Sequence, residues 1–224
     1  MSKPVRIAIL DSGVAVNHAH ISRPVSGGVT ITSDGISEGY ADMLGHGTAV
    51  CALIQAMAPE AQVFSVKVFD RRLATTASIV MRAIEWCLEN SMDIVNLSLG
   101  TANSDHRQQF AAVVDRVCVA GAVLVSAYEV NDTLMLPGSM RGVVGVVEDT
   151  ACEREEVRVL PGDPRRVTAC PYPLDIAGVP RERNLRGVSF SVAHVSARLA
   201  CLRANDARTP WEELLRGASV ATAV

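Results

Sequence analysis

The sequence predicts an α/β fold: a mostly parallel central sheet with helices on both faces, in a single domain spanning residues 1–224. Two observations carry that prediction. Short, nearly continuous apolar runs, the pattern of strands buried on both faces, alternate with segments whose apolar residues recur every three or four positions. The chain's 224 residues, 49% hydrophobic and 20% charged, also suffice for one well-buried core, and no linker-like or repetitive stretch divides them.

The predicted strands are residues 5–10, 62–68, 93–99, 122–127 and 143–147. Between them, Ile79, Ala83, Ile84, Cys87 and Leu88 share one helical face, as do Phe110, Val113, Val114, Val117 and Cys118. Strands separated by such helices read as βαβ crossovers. Residues 157–160 and 166–169 flank Pro-Gly-Asp-Pro and read as a hairpin. Residues 188–202 return to a helical pattern. Thr209, Pro210 and Glu212 predict a last helix with a Thr cap, Pro in the first position and a capping box. The small apolar end, residues 218–224, reads as a fraying terminus or an extra strand; Trp86 and Trp211 read as residues in or near the core, Trp211 equally as one partly exposed at its helix start.

Charge and composition narrow the function classes. A net charge of −3 and only 4% aromatics disfavour nucleic acid as a partner. No apolar run approaches the roughly 18 residues of a membrane span. The N-terminus lacks the features of a secretory signal. The six cysteines form no CxxC pair, which gives no zinc signal, and Cys51, Cys87, Cys118 and Cys201 sit in apolar helical patterns as small buried hydrophobes do. Together these predict reduced thiols, a cytoplasmic location, and no metal or cofactor.

In open parallel sheets ligands bind beyond the carboxyl ends of the strands. The first strand ends in Asp11-Ser12-Gly13, where Asp is either a turn former or a site residue. Gly45-His46-Gly47-Thr48 opens a helical pattern, and its His is either a loop residue or a base. Gly187-Val188-Ser189 opens another, and its Ser is either a cap or a nucleophile. Taken together they supply what nucleophilic catalysis needs: a hydroxyl, an imidazole to take its proton, and a carboxylate to fix the imidazole tautomer.

These blocks resemble the subtilisin-like serine proteases, the subtilase family. The matching stretches are IAILDSGV, GHGTAV, VKVFD, DIVNLSLG, AVLVSAYEVND, LPGSMRGVVGVVED, LDIAGVP and GVSFSVAHVSA, which run from about Val5 to Leu202. The resemblance implies that Asp11 orients His46, that His46 takes and returns the proton of Ser189, and that the Ser189 amide donates to the oxyanion. It implies further that Ser98, Leu99 and Gly100 pair with an extended peptide or protein substrate, that Ala127, Tyr128 and Glu129 line the opposite wall of the primary pocket, and that Asp42 lies near the next one.

The sequence also departs from the family pattern. An ungapped match puts Val130 where the second oxyanion donor, an Asn, is expected; Asn131 takes that place if the loop holds one extra residue. In subtilisin itself that donor is worth about 2.7–4 kcal/mol. Gly-Val-Ser replaces Gly-Thr-Ser, and Ala193 precedes a His194 expected to be structural. The family's calcium loop is expected to be absent, because Cys51 to Met57 runs straight into Ala58-Pro59-Glu60. The chain reads as a compact form without a pro-domain. The reading is a serine endopeptidase, with narrow specificity such as precursor-peptide maturation. The alternatives are a pseudoprotease that binds peptides and an acyl-transfer enzyme. Glu129 on the pocket wall is either a selector of Lys or Arg before the cut or a solvated loop carboxylate.

Overall fold

The computed structural model describes residues 3–206 and 209–220. Its strands are β1 (Arg6–Asp11), β2 (Gly27–Thr32), β3 (Gly35–Glu38), β4 (Gln62–Lys67), β5 (Ile94–Leu97), β6 (Val123–Ala127), β7 (Glu129–Val130), β8 (Thr133–Leu134), β9 (Val143–Glu148), β10 (Val157–Val159) and β11 (Arg166–Ala169). The helices are α1 (His46–Met57), α2 (Ala77–Glu89), α3 (Arg107–Val119), α4 (Val188–Asn205) and α5 (Trp211–Val220).

Nine strands form one sheet in the order β10-β11-β9-β6-β5-β1-β4-β2-β3. All neighbours are parallel except the pairs β2–β3 and β10–β11 at the two edges. The strand order reverses at β1, which has β4 on one side and β5 on the other. This is the position where an open α/β sheet leaves a crevice for a ligand.

Each central strand is apolar on both faces because each face has its own helical layer. Ile7 and Ile9 of β1 pack with residues of α1 and α4, while Ala8 and Leu10 pack with residues of α2 and α3. This period of two is the reason the strand reads as a continuous apolar run.

The five central strands lie within a residue or two of their predicted positions, and the hairpin around Pro-Gly-Asp-Pro is β10–β11, although β11 also joins the parallel sheet through β9. The edge hairpin β2–β3 was not expected. Its Gly- and Thr-rich sequence is half-exposed and carries no apolar run.

Three local readings need correction. The last helix starts at Trp211, and Pro210 precedes it with its carbonyl accepting from Glu213 and Leu214. There is no capping box, because Asp206 takes the Thr209 hydroxyl and amide while Glu212 pairs with Arg165. Cys118 is exposed and Cys201 half-buried, whereas Cys152 and Cys170 join Cys51 and Cys87 in the interior; all six are free thiols. Of the terminal segment, 218–220 close α5, and 221–224 lie outside the described residues. No helix among the described residues is long and apolar enough to cross a membrane.

Candidate active site

Beyond the carboxyl ends of β1 and β5, the structure brings Asp11, His46, Ser98 and Ser189 into one region. Asp11 ends β1 and is 1% exposed. Its carboxylate oxygens lie 2.8 and 2.9 Å from Nδ1 of His46, the first residue of α1. That contact fixes the tautomer: Nδ1 donates, leaving Nε2 as the free base. Burial alone lowers the His46 pKa, but the Asp11 hydrogen bond and charge, with a further contribution from Asp42, hold it above the ordinary value of 6.5.

The glycines beside these residues serve close packing. The Ser12 hydroxyl accepts from the Gly47 amide at 2.9 Å, bringing the start of α1 against the end of β1. A Cβ on Gly47 would lie 2.3 Å from the Gly13 carbonyl oxygen, and one on Gly13, at φ +105°, 2.3 Å from that of Tyr40. A side chain at Gly47 would force the start of α1 away from the end of β1, and one at Gly13 would displace the Tyr40–Ala41 backbone.

Asp42 holds the same helix start from the other side. Its carboxylate accepts from the amides of Leu44, Gly45 and Thr48 and from the Thr48 hydroxyl at 2.6 Å. Burial would raise its pKa, but these hydrogen bonds, that of the Thr48 hydroxyl foremost, outweigh it and hold Asp42 below the usual range. An anion at a helix N-terminus is favourable. Its carboxylate is thus engaged in shaping the loop and cap, a role not visible from its position four residues before His46. Helix α1 then runs uninterrupted to Met57.

Ser189 is the second residue of α4, where backbone amides have no partner within the helix. The ring of the next residue, Phe190, lies 5.6 Å from the His46 ring at a 40° tilt, which brings the start of α4 to the imidazole. The Ser189 hydroxyl donates to the Ser98 carbonyl at 3.2 Å, and no hydrogen bond joins it to His46 among the described residues.

Behind Ser189, a buried polar chain ties α4 to β5. The Ser196 hydroxyl donates to Asn96 Oδ1 at 3.0 Å, and Asn96 Nδ2 donates to the Ser98 hydroxyl at 3.0 Å. Asn96 and Ser196 are fully buried. Sequence reasoning missed this chain; its signal was an Asn inside an otherwise apolar strand. Ser98, Leu99 and Gly100 follow β5, and Leu99 and Gly100 line a cavity of about 460 Å³ with Phe110, Leu136 and Pro137. His194 is buried, as a structural residue would be: Nε2 lies 3.0 Å from the Tyr172 carbonyl oxygen, and burial presses its pKa down to about 4.

The wall opposite is built differently. Ala127 ends β6, fully enclosed, and the Arg166 guanidinium lies over the Tyr128 ring at 4.3 Å and 3.8 Å from the Glu129 carboxylate. Glu129 therefore already has a cationic partner in the protein. Val130 pairs with Thr133 in the β7–β8 hairpin, and Asn131 and Asp132 form its two-residue turn at φ 48° and 59°. Asn and Asp are the non-glycine residues that tolerate this left-handed turn. Asn131 is thus an exposed turn residue at the tip, and its carbonyl accepts from the Thr133 hydroxyl at 3.4 Å. Among the described residues no group of three or more His, Cys, Asp or Glu side chains is placed to hold a metal ion.

Residues 2–154 match the model of the subtilase family, a peptidase family. Over 131 residues, 54% of the chain, it is 36% identical to a thermostable alkaline protease of Halalkalibacterium halodurans. Over 132 residues, 55% of the chain, it is 31% identical to subtilisin E of Bacillus subtilis. The matched stretches are 34% and 33% of those two proteins, so the chain spans well under two thirds of their length. Among solved structures, a lanthipeptide protease superposes with a TM-score of 0.71 at 15% identity, over 95% of this chain and 78% of the other. The prenylagaramide maturation protease PagA superposes with the same TM-score of 0.71 at 22% identity, over 98% and 84%.

Proposed function

The chain belongs to the subtilase family, and we propose that it is a serine endopeptidase working through Asp11, His46 and Ser189. The observation that carries this reading is the His46 imidazole held through Nδ1 by both oxygens of a buried carboxylate, with Ser189 at the helix start beside it. The Ser189 hydroxyl turns from Ser98 to His46 Nε2 and attacks the scissile carbonyl as its proton passes to His46. The tetrahedral oxyanion forms against the Ser189 amide. His46 then protonates the leaving amine, and water hydrolyses the acyl-enzyme by the reverse route.

The acyl part of the peptide lies extended along Ser98, Leu99 and Gly100, with Ala127 and Tyr128 across from it. The whole of residues 1–224 acts as one peptidase domain, in the cytoplasm; the six unpaired thiols support that setting. The substrate is a narrow class, a precursor peptide cut once during maturation. The two structural neighbours, a lanthipeptide protease and a maturation protease, favour this class over general digestion.

A second reading, a pseudoprotease that binds peptides, is favoured by Val130 at the expected donor position and by the Ser98-bonded nucleophile. Incubation of wild type and Ser189→Ala with a peptide library, read by mass spectrometry, separates the two. Products that appear only with wild type, at few sites and carrying the mass of water, support the endopeptidase. Binding by both proteins with no product supports the pseudoprotease. Products lacking the added water support acyl transfer.

A further inference from the structure

A groove of about 440 Å³ is lined by residues adjacent to His46 in α1 and by none of Ser98, Leu99 and Gly100. Its lining includes Gly45, the residue that immediately precedes His46, and Leu185, four residues before Ser189. The floor is small, with Ala15, Ala49 and Ala52, and the far wall is aliphatic, with Leu174 and Ile176. Ile176 is 42% exposed and Leu185 54%. Exposed aliphatic side chains gathered on one groove mark a surface that is covered in use. No Asp, Glu, Lys or Arg lines it; its polar members include His18 and His20 at the mouth, whose rings meet edge-on at 5.0 Å.

The position identifies the occupant. On the endopeptidase reading, on which this inference rests, His46 hands its proton to the leaving nitrogen, so the peptide segment after the scissile bond must lie against His46. The Ser98–Gly100 edge takes the segment before it. We propose that this groove is the specificity site for the leaving segment and takes a large aliphatic or aromatic side chain from one of the two residues after the cut. A carboxylate there would lose its water against an aliphatic wall without gaining a cationic partner. The two histidines leave the mouth wet and the floor apolar, the usual build of a selective pocket.

Acyl transfer tests this without any leaving segment in the substrate. A peptidyl ester with a small alcohol leaving group acylates Ser189. An added dipeptide amide then attacks the ester carbonyl, its amine proton passes to His46, and Ser189 leaves as the alcohol by taking that proton. Water attacks in competition. The ratio of amide to acid product, read by mass spectrometry, reports how well the nucleophile fits the leaving side and does not depend on the acylation rate.

The nucleophiles are Xaa-Gly-amide and Gly-Xaa-amide, with Xaa as Leu, Phe, Asp or Gly. We expect Leu or Phe to capture the acyl group at least tenfold better than Asp in one of the two positions. Leu185→Glu and Ile176→Glu, both at exposed positions, should each bring that preference towards unity. Equal capture of all nucleophiles, with ester turnover intact, overturns the proposal and leaves the endopeptidase reading standing. Absence of Ser189-dependent ester turnover removes both. A flat capture profile together with a dimer that Leu185→Glu dissociates makes a second copy of the chain the occupant, and also overturns it.

Discussion

The two sides of the nucleophile are built to different standards. On one, β1 and α1 meet in a corner where Asp11 is fully enclosed and holds His46 with both oxygens, Ser12 bonds to the Gly47 amide, and Asp42 caps the helix through four hydrogen bonds. On the other, the β7–β8 hairpin presents Val130 and an exposed Asn131 in a left-handed turn. His46, the proposed base, is held by Asp11 within the protein itself, whereas the hairpin proposed to flank the oxyanion has Val130, which carries no donor, at the expected place. On the endopeptidase reading, proton transfer and charge stabilisation are separable: the Asp11–His46 pair supports the first, while Val130 brings no side-chain donor to the second.

Removing the finished side should have the largest effect. Ser189→Ala is expected to lower kcat by a factor on the order of 10⁶, and Asp11→Asn by about 10⁴ because the imidazole tautomer is lost. Steady-state peptide cleavage measures both; a loss under about tenfold for Asp11→Asn would remove Asp11 as the residue that orients His46.

The unfinished side should respond in the opposite direction. Val130→Asn supplies an amide at the expected position and should raise kcat by about 10- to 100-fold, part of the range one oxyanion donor is worth. Asn131→Gly keeps the left-handed turn and should change kcat by less than about threefold. A drop of about 10²-fold or more in Asn131→Gly would mean that Asn131 reaches the oxyanion and that the wall is complete after all.

The pH dependence sharpens the same contrast. His46 must be neutral to act, and Asp11 holds its pKa above 6.5. The acid limb of kcat/KM should therefore fall above pH 6.5, with tenfold loss per unit below it. In Asp11→Asn the limb should move down. An unmoved limb would assign it to another group.

The buried His194 gives the smallest effect, and one on stability alone. Its folded pKa of about 4 lies below the unfolded value of 6.5, so the unfolded chain binds the extra proton between them. Stability is full above pH 6.5 and falls by roughly 3 kcal/mol as pH drops towards 4. Urea midpoints across that range should show this slope in wild type and lose most of it in His194→Gln.

Much of this was legible in the chain, and the reasons differ by region. Strands β1, β4, β5, β6 and β9 are buried on both faces and announce themselves as apolar runs; β2 and β3, half-exposed at the edge, do not. Asp11, His46 and Ser189 each have glycine close by in sequence; clash distances explain Gly13 and Gly47, whereas a Cβ on Gly187 would meet nothing. The chain Asn96–Ser98–Ser196 was hidden because its members lie 100 residues apart and meet only when α4 docks. The role of Asp42 was hidden because a loop carboxylate four residues from a histidine reads equally as pocket or cap. The register of Asn131 was undecidable because it depends on whether a hairpin forms, and the Asn-Asp turn that forms it is also ordinary loop sequence.

The most direct test of the account is covalent labelling of Ser189 by a fluorophosphonate, followed by intact mass, in wild type, Ser189→Ala and His46→Ala. The account predicts a single adduct on wild type and none on either variant, because only a hydroxyl activated by His46 displaces fluoride. No adduct on folded wild type, or equal labelling of all three proteins, would contradict it.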